Sequence, residues 1–486
     1  MSYNGYIAVL KNVRPHPNAD RLKLGEVFGN TVCVNLDYYE GQVGVYFPTD
    51  GQLDEEFCEA NNLVRKKDEN GNNIGGYMDP NKRNVTAIKL RNEKSDGLFL
   101  PLSCLEYTGI DVNTFNVGDV INEVNGHHIC HKYIPRTNHK SHYSGGNKTR
   151  KKKENIAPLF VEHADTEQLN YNLDAFHSGD EIEITLKMHG TSQRTAHLPM
   201  LQGYADTWPC RVGNAFRHIM RKMGCYHGED VHDGKPIYEW DYVSGTRRTV
   251  LDSYDGGYYG DNAFREQHHN TFIDKLQKGE TVYYEVVGFT KTGVPIMADC
   301  ANKKLNDKDF IKQYGETTRF SYDCTPEGEV EHFTDGVGTP IYGRIKPGTQ
   351  SDIYVYRMTM TNDEGFVVEY TPDFMRYRCE QMGVKCVPVF WKGTIPENPA
   401  SADDPTITPG EWIKNVAERF YDGPDPIGKT HVREGVVVRI LNRPKFTAYK
   451  TKNFAFKCLE GLVKAEATAP DMEEADGLDM EENNEV

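Results

Sequence analysis

The run "ITLKMHGTSQR" places a lysine where a strand gives way to a turn. Ile182, Ile184 and Leu186 alternate with polar residues, which is strand periodicity, and His189-Gly190-Thr191-Ser192 then interrupts it. On that parity Lys187 lies on the polar face. It reads either as a solvated surface charge or as a nucleophile at the floor of a pocket. A lysine amine attacks only when deprotonated, so the second reading needs desolvation or neighbouring cations to lower its pKa. The segment "TAYKTKNFAFK" offers such cations in Lys450, Lys452 and Lys457. The same charges would neutralise a nucleotide phosphate, and phosphoryl transfer rests chiefly on positioning and charge. Two carboxylates sit in apolar runs of β-type residues: Glu285 in "TVYYEVVGF" and Glu434 in "REGVVVRI". Such a carboxylate can hold a ribose hydroxyl or a divalent metal, and a solvated strand-end glutamate is the plainer alternative for each.

The elements that must position these residues fall into blocks. Residues 1–125 contain short alternating runs separated by turns, among them "GYIAVLKNV", "NTVCVNL", "QVGVYF", "NVTAIKL" and "DGLFLPL". Five or more such strands suit a small β-barrel. Residues 131–155 end in the basic stretch "NKTRKKKEN" and read as a linker, or as a contact for a phosphate backbone. From 156 to 465 the pattern is a large mixed region. Strands are expected near 180, 282, 353 and 434, and helices over "GNAFRHIMRKMG", "NTFIDKLQKG" and "TPDFMRYRCEQMG". Residues 466–486 hold nine acidic residues and no basic one, which predicts a disordered acidic tail.

The net charge of −16 therefore decides little about partners, because without the tail the remainder carries −7. The 38% hydrophobic content supports real cores, and no apolar run is long enough to cross a bilayer. The opening residues show no basic-then-apolar secretory pattern. Eleven cysteines scattered singly, with no Cys-x-x-Cys, point to reduced thiols in the cytoplasm. "HHICHK" and "CYHGEDVH" are rich in histidine and cysteine, yet neither has a paired zinc-ligand spacing.

The order of motifs is more specific than any one of them. Lys-x-His-Gly-Thr at 187–191, Glu-Val-Val-Gly at 285–288, Glu-Gly-Val-Val-Val-Arg at 434–439 and a following lysine-bearing strand resemble the covalent nucleotidyltransferases. Within them the chain most resembles the ATP-dependent RNA ligases, in particular the Deinococcus-type branch with an N-terminal OB domain. "VRPHPNADRLKLGEV" and "VTAIKLRNEKSDGLFLPL" are similar to parts of that OB domain. The resemblance implies an α+β fold. An OB-type barrel over 1–130 would precede a nucleotidyltransferase domain of ATP-grasp-like antiparallel sheets over 156–465.

The resemblance also assigns roles. Lys187 would attack the α-phosphate of ATP to form lysyl-AMP, with Leu186 and Gly190 beside it in the ATP site. Glu285 would hold the ribose, and Glu434 would serve the metal or the reacting phosphate. Tyr354 and Tyr356 of "IYVYRMTMT" are candidates for stacking on adenine, against a packing role. Lys457 is favoured for the last motif on its "FKCLEG" context, with Lys450 and Lys452 as the competing pair. Arg247 and Arg248 of "YVSGTRRTVL" would bind a 5′-phosphate, and Asp165 carries over from a short family segment. ATP, magnesium or manganese, and RNA ends bearing 3′-OH and 5′-phosphate are the implied cofactors and partner. A DNA ligase or capping enzyme would need an OB domain after Lys457, where only a short acidic stretch follows. A non-catalytic RNA-binding homologue is the third reading.

Overall fold

The computed structural model describes residues 3–67, 74–133, 156–164, 166–226, 230–251, 253–254, 262–297, 300–316, 318, 321–322, 324, 350–400, 406–427 and 431–465. The rest of the basic linker, the acidic tail and Asp165 lie outside them.

Strand Gly5–Val9 sits between Val43–Phe47 and Val120–Ile121, and Leu98–Pro101 extends the sheet beyond Val43–Phe47. Two three-stranded sheets follow, Lys11–Pro15 with Leu22–Val27 and Asn30–Asn35, and Cys130–Lys132 with Gly51–Leu53 and Asn84–Val85. Val43–Phe47 explains the shared packing. Val45 and Phe47 enter one core with Ile7, Leu53 and Phe57, while Tyr46 enters a second with Leu10, Val27 and Phe99. The expected strands are present, but the described residues form separate small sheets rather than one closed barrel. Asn12, at φ 53°, sits at an irregularity inside strand Lys11–Pro15, where the pairing with Leu22–Val27 shifts register between Lys11 and Arg14. Lys132 pairs with Gly51, so the N-terminal half reaches beyond residue 130 into the region assigned to the linker.

Beyond residue 156 two larger sheets dominate. The first has the order Glu167–Gln168, Thr447–Lys452, Gly435–Ile440, Glu181–Leu186, Val389–Thr394, antiparallel except for its first pair. Ile182, Ile184, Val436 and Val438 pack it against Ile413, Val416 and Ala417 of helix Pro409–Glu418. Thr408 and Glu411 begin that helix with reciprocal side-chain to backbone bonds. The second sheet runs Val250–Leu251, Pro236–Gly245, Thr191–Tyr204, Glu280–Gly288, Ser351–Thr361, Val367–Glu369, with Lys385–Cys386 parallel to Ser351–Thr361. Val282, Tyr284 and Val286 face Phe264, Phe272, Met375 and Cys379 around helices Ala263–Asn270 and Pro372–Met382. That alternation leaves Tyr283 and Glu285 on the opposite face.

Two of the expected helices form, as Trp208–Lys222 and Pro372–Met382, the latter closed by Gly383 at φ 70°. The third does not. The helix ahead of it ends at Asn270, and Asp274 at φ 64° leaves 271–279 as turns. Among the described residues no helix is long and apolar enough to cross a membrane.

Candidate active site

Lys187 and Glu434 meet because their strands pair. Leu186 is opposite Val436, and the Lys187 amide donates to the Gly435 carbonyl at 3.0 Å. The side chains then converge, with Lys187 Nζ donating to Glu434 Oε1 at 2.6 Å. Strand Thr447–Lys452 adds the next pair, Gly435 opposite Lys452 and Val437 opposite Lys450. Gly435 must lack a side chain, since a Cβ would lie 2.0 Å from the Thr451 carbonyl oxygen. Lys452 Nζ consequently reaches Glu434 Oε1 at 3.3 Å and Glu460 Oε2 at 2.7 Å. Lys450, two residues earlier on the same strand face, makes no side-chain hydrogen bond or ion pair among the described residues. Burial first, then the proximity of Lys187, Lys452, Arg247 and Lys132, pushes its ammonium down to about 7. Positive charge exceeds negative here, the electrostatics of a site for a polyanion.

Glu434 is buried. Burial alone would raise its carboxyl, but Lys187, Lys452 and His189 outweigh it and hold the group below its ordinary value. Its Oε1 serves the lysines, whereas Oε2 is buried without a hydrogen-bond partner among the described residues, and His189 Nδ1 lies 3.9 Å away. A buried carboxylate oxygen with no donor is a fitting ligand for a divalent cation.

The turn after Lys187 carries the chain from the first sheet to the second, and Gly190 is its closest approach. A Cβ there would lie 2.4 Å from the Val286 carbonyl oxygen and 2.8 Å from Glu285 Cγ. Only glycine lets the turn lie directly on the strand bearing Glu285. In the second sheet Ser192, Glu285 and Tyr354 form one cross-strand row. Tyr354 is buried beside Leu186, Met188 and Tyr322. Tyr356 is half-buried, its hydroxyl 2.8 Å from Ser192 Oγ and its ring 5.1 Å from that of His163.

The structure thus brings Lys187, Gly190, Glu285, Glu434, Lys450 and Lys452 together, with Leu186 and Tyr354 in the apolar cluster beside them. Arg247 belongs to the same neighbourhood, acting on Lys450, and Arg248 follows it, half-buried, in the turn after strand Pro236–Gly245. Lys457 is placed differently. It lies on helix Phe454–Ala465 and donates from Nζ to Asp96 Oδ2 of the N-terminal half at 2.6 Å. Lys452 is the lysine of this segment that reaches Glu434, with Lys450 near it on the same strand face, because a strand puts alternate residues on one face whereas "FAFK" opens a helix. Sequence reasoning missed Lys132, Glu460 and His163. No motif marks Lys132, which comes from the other half of the chain. Glu460 lies eight residues beyond Lys452, a separation expected only once the helix is known.

No family model and no curated protein sequence matches the chain. Solved structures do. An apo mutant of Naegleria gruberi RNA ligase aligns over 94% of this chain and 98% of its own, at 17% identity and TM-score 0.50. The same ligase with PPi aligns over 93% and 97%, at 17% identity and TM-score 0.50. Another mutant of it, with ATP and Mn, aligns over 93% and 98%, at 16% identity and TM-score 0.50. The chain is similar to these in fold across nearly its whole length.

Proposed function

We propose that the chain is an ATP-dependent RNA ligase acting through a lysyl-AMP at Lys187. The observation that carries this reading is the Lys187–Glu434 contact at 2.6 Å, flanked by Lys450 and Lys452 and joined to Glu285 through Gly190. Lys187 Nζ, having lost a proton, forms a bond to the α-phosphorus of ATP while the bond to pyrophosphate breaks. A 5′-phosphate oxygen of RNA then takes the AMP from Lys187. The RNA 3′-OH finally attacks that phosphate and expels AMP. Lys450, Lys452 and Arg247 neutralise the phosphates, Glu285 holds the ribose, and Tyr354, next to Glu285 in register, lies against the adenine. Arg247 and Arg248 receive the 5′-phosphate end. Glu434 Oε2 would hold a divalent cation, which would supply positive charge against the reacting phosphate. Fold likeness to an RNA ligase that is seen with ATP and Mn supports the choice of nucleotide and metal.

The N-terminal half serves as an OB-type module that engages RNA, as the resemblance of its sequence suggests. Eleven free cysteines fit a reducing compartment, and we place the protein in the cytoplasm. Incubation with α-labelled ATP and magnesium tests the reading. Label should become covalently attached in an acid-labile, base-stable linkage, and absence of attachment with both magnesium and manganese would refute it.

A further inference from the structure

Helix Trp208–Lys222 is mounted the wrong way round for an ordinary surface helix. It belongs to the excursion between strands Thr191–Tyr204 and Pro236–Gly245, which pair along ten registered positions. Its polar face is the one fastened to the protein. Asn214 donates to the Val231 carbonyl at 2.7 Å and accepts from the Val231 amide at 3.0 Å. Arg221 pairs with Asp230, and Thr207 at the helix start bonds Asp233 through both its amide and its hydroxyl. The outward face is apolar. Trp208, Val212, Phe216, Ile219 and Met223 follow helical spacing and are between 48% and 76% exposed. Nothing among the described residues covers them, and a contiguous apolar stripe of this kind marks a docking surface.

Charge selects the occupant. Residues 208–223 contain Arg211, Arg217, Arg221 and Lys222 and no acidic residue, on a chain of net charge −16; with Arg221 engaged by Asp230, the basic flank is Arg211, Arg217 and Lys222. A second copy of the same helix would set these cations against each other. Residues 466–486 are their complement, with nine carboxylates, no base, and Met472, Leu478 and Met480 among them. Reach is sufficient. Extended chain after Ala465 spans roughly 70 Å, whereas a compact protein of this length has a radius of gyration of about 23 Å. We propose that the acidic tail docks on this helix, its carboxylates on the basic flank and its apolar residues on the Trp208–Met223 stripe. The tail is then an intramolecular ligand, separate from the adenylylation chemistry.

The experiment compares the full chain with one ending at Ala465, using a fluorescent synthetic peptide of residues 466–486 as probe. The peptide should bind the shortened chain, bind the full chain poorly because its site is filled, and release as salt rises. Phe216→Ser or Lys222→Glu in the shortened chain should weaken binding by about tenfold, a change of about 1.4 kcal/mol. Both positions are exposed, so neither substitution removes core packing. Amide exchange over 208–223 should be slower in the full chain than in the shortened one. Failure of the peptide to bind, or equal binding by both variants, would overturn the proposal. So would identical exchange in the two chains, protection that depends on protein concentration, as a dimer requires, or protection that appears only with added RNA.

Discussion

Lys187 Nζ and Glu434 Oε1 stand 2.6 Å apart although 247 residues separate them in the chain. The antiparallel pairing of their two strands enforces the contact, so neither side chain depends on a mobile loop for its place. The pair is also asymmetric, since one Glu434 oxygen is engaged by lysines and the other has no hydrogen-bond partner among the described residues.

The first consequence concerns the nucleophile. Lys187→Ala should abolish covalent AMP labelling, because Lys187 is the amine assigned to the phosphoamide, while Lys450 and Lys452 on the neighbouring strand serve the phosphates as charges. Lys187→Arg should fail as completely, since arginine keeps its proton. Survival of label in either variant, read by gel autoradiography, would show the nucleophile to be elsewhere.

Replacing Glu434 separates charge from shape. Glu434→Gln keeps the volume but leaves Lys187 and Lys452 without their shared counter-charge, and breaking a buried pair in this way costs about 3 kcal/mol. A drop in denaturation midpoint is expected, together with a loss of labelling that raised manganese does not restore. Recovery at high manganese would remove the oxygen Oε2 from the cation site.

Lys450 makes a prediction about pH. Its pKa is near 7 in the folded chain against an ordinary value of 10.5, so between these two pH values the unfolded state binds more protons. Stability therefore rises with pH across that window, and below pH 7 the charged, buried ammonium opposes folding in full. Lys450→Met should raise the melting temperature at pH 6.5, with the advantage shrinking as pH approaches 10. Pyrophosphate should stabilise the native chain more at pH 6.5 than at 9, and should do so less in Lys450→Met. Parallel melting curves for the two proteins across pH would contradict this placement of Lys450.

Much of this centre could be read from residue order, and the failures share a cause. Lys187, Glu285 and Glu434 each end or interrupt an apolar alternation, a signal local enough to find without a structure. The choice between Lys450 and Lys457 was not local. It turned on where strand became helix, and Asn453 decides that, its side-chain oxygen accepting from the amides of Ala455 and Phe456. The N-terminal strands were legible for the same reason as the catalytic ones. Their closure was not, because which strands meet depends on packing between distant segments, and the bends at Asn12, Arg91 and Asn92, all at positive φ, do not by themselves say where the chain goes next. Asp274, also at positive φ, lies among the turns that follow the helix ending at Asn270, where periodicity alone would have placed a helix.

The last prediction follows from Lys457. Its ion pair with Asp96 and the packing of Ala87 on Phe454 and Cys458 tie the N-terminal region to the helix that follows Lys452, and the Lys89–Asp307 pair ties it to the start of helix Lys308–Tyr314. Deleting residues 1–135 therefore removes the proposed RNA module and also uncovers one face of that helix. Lys457→Ala, by contrast, loosens the tie while leaving both halves present. Labelling by ATP should persist in the point variant, because Lys457 does not touch Glu434, and in the truncation it should persist with a lower melting temperature. Sealing should fall further than labelling in both. In the native chain RNA binding should weaken steeply with salt, as counterion release requires. Matched nicks with RNA or DNA at the 3′-OH strand then test the substrate, since the 2′-OH is the group by which a site tells the two apart. Equal sealing of both nicks by the full chain would defeat the RNA-ligase reading. Undiminished sealing by the truncation would instead defeat the role assigned to the N-terminal half, and leave the lysyl-AMP chemistry standing.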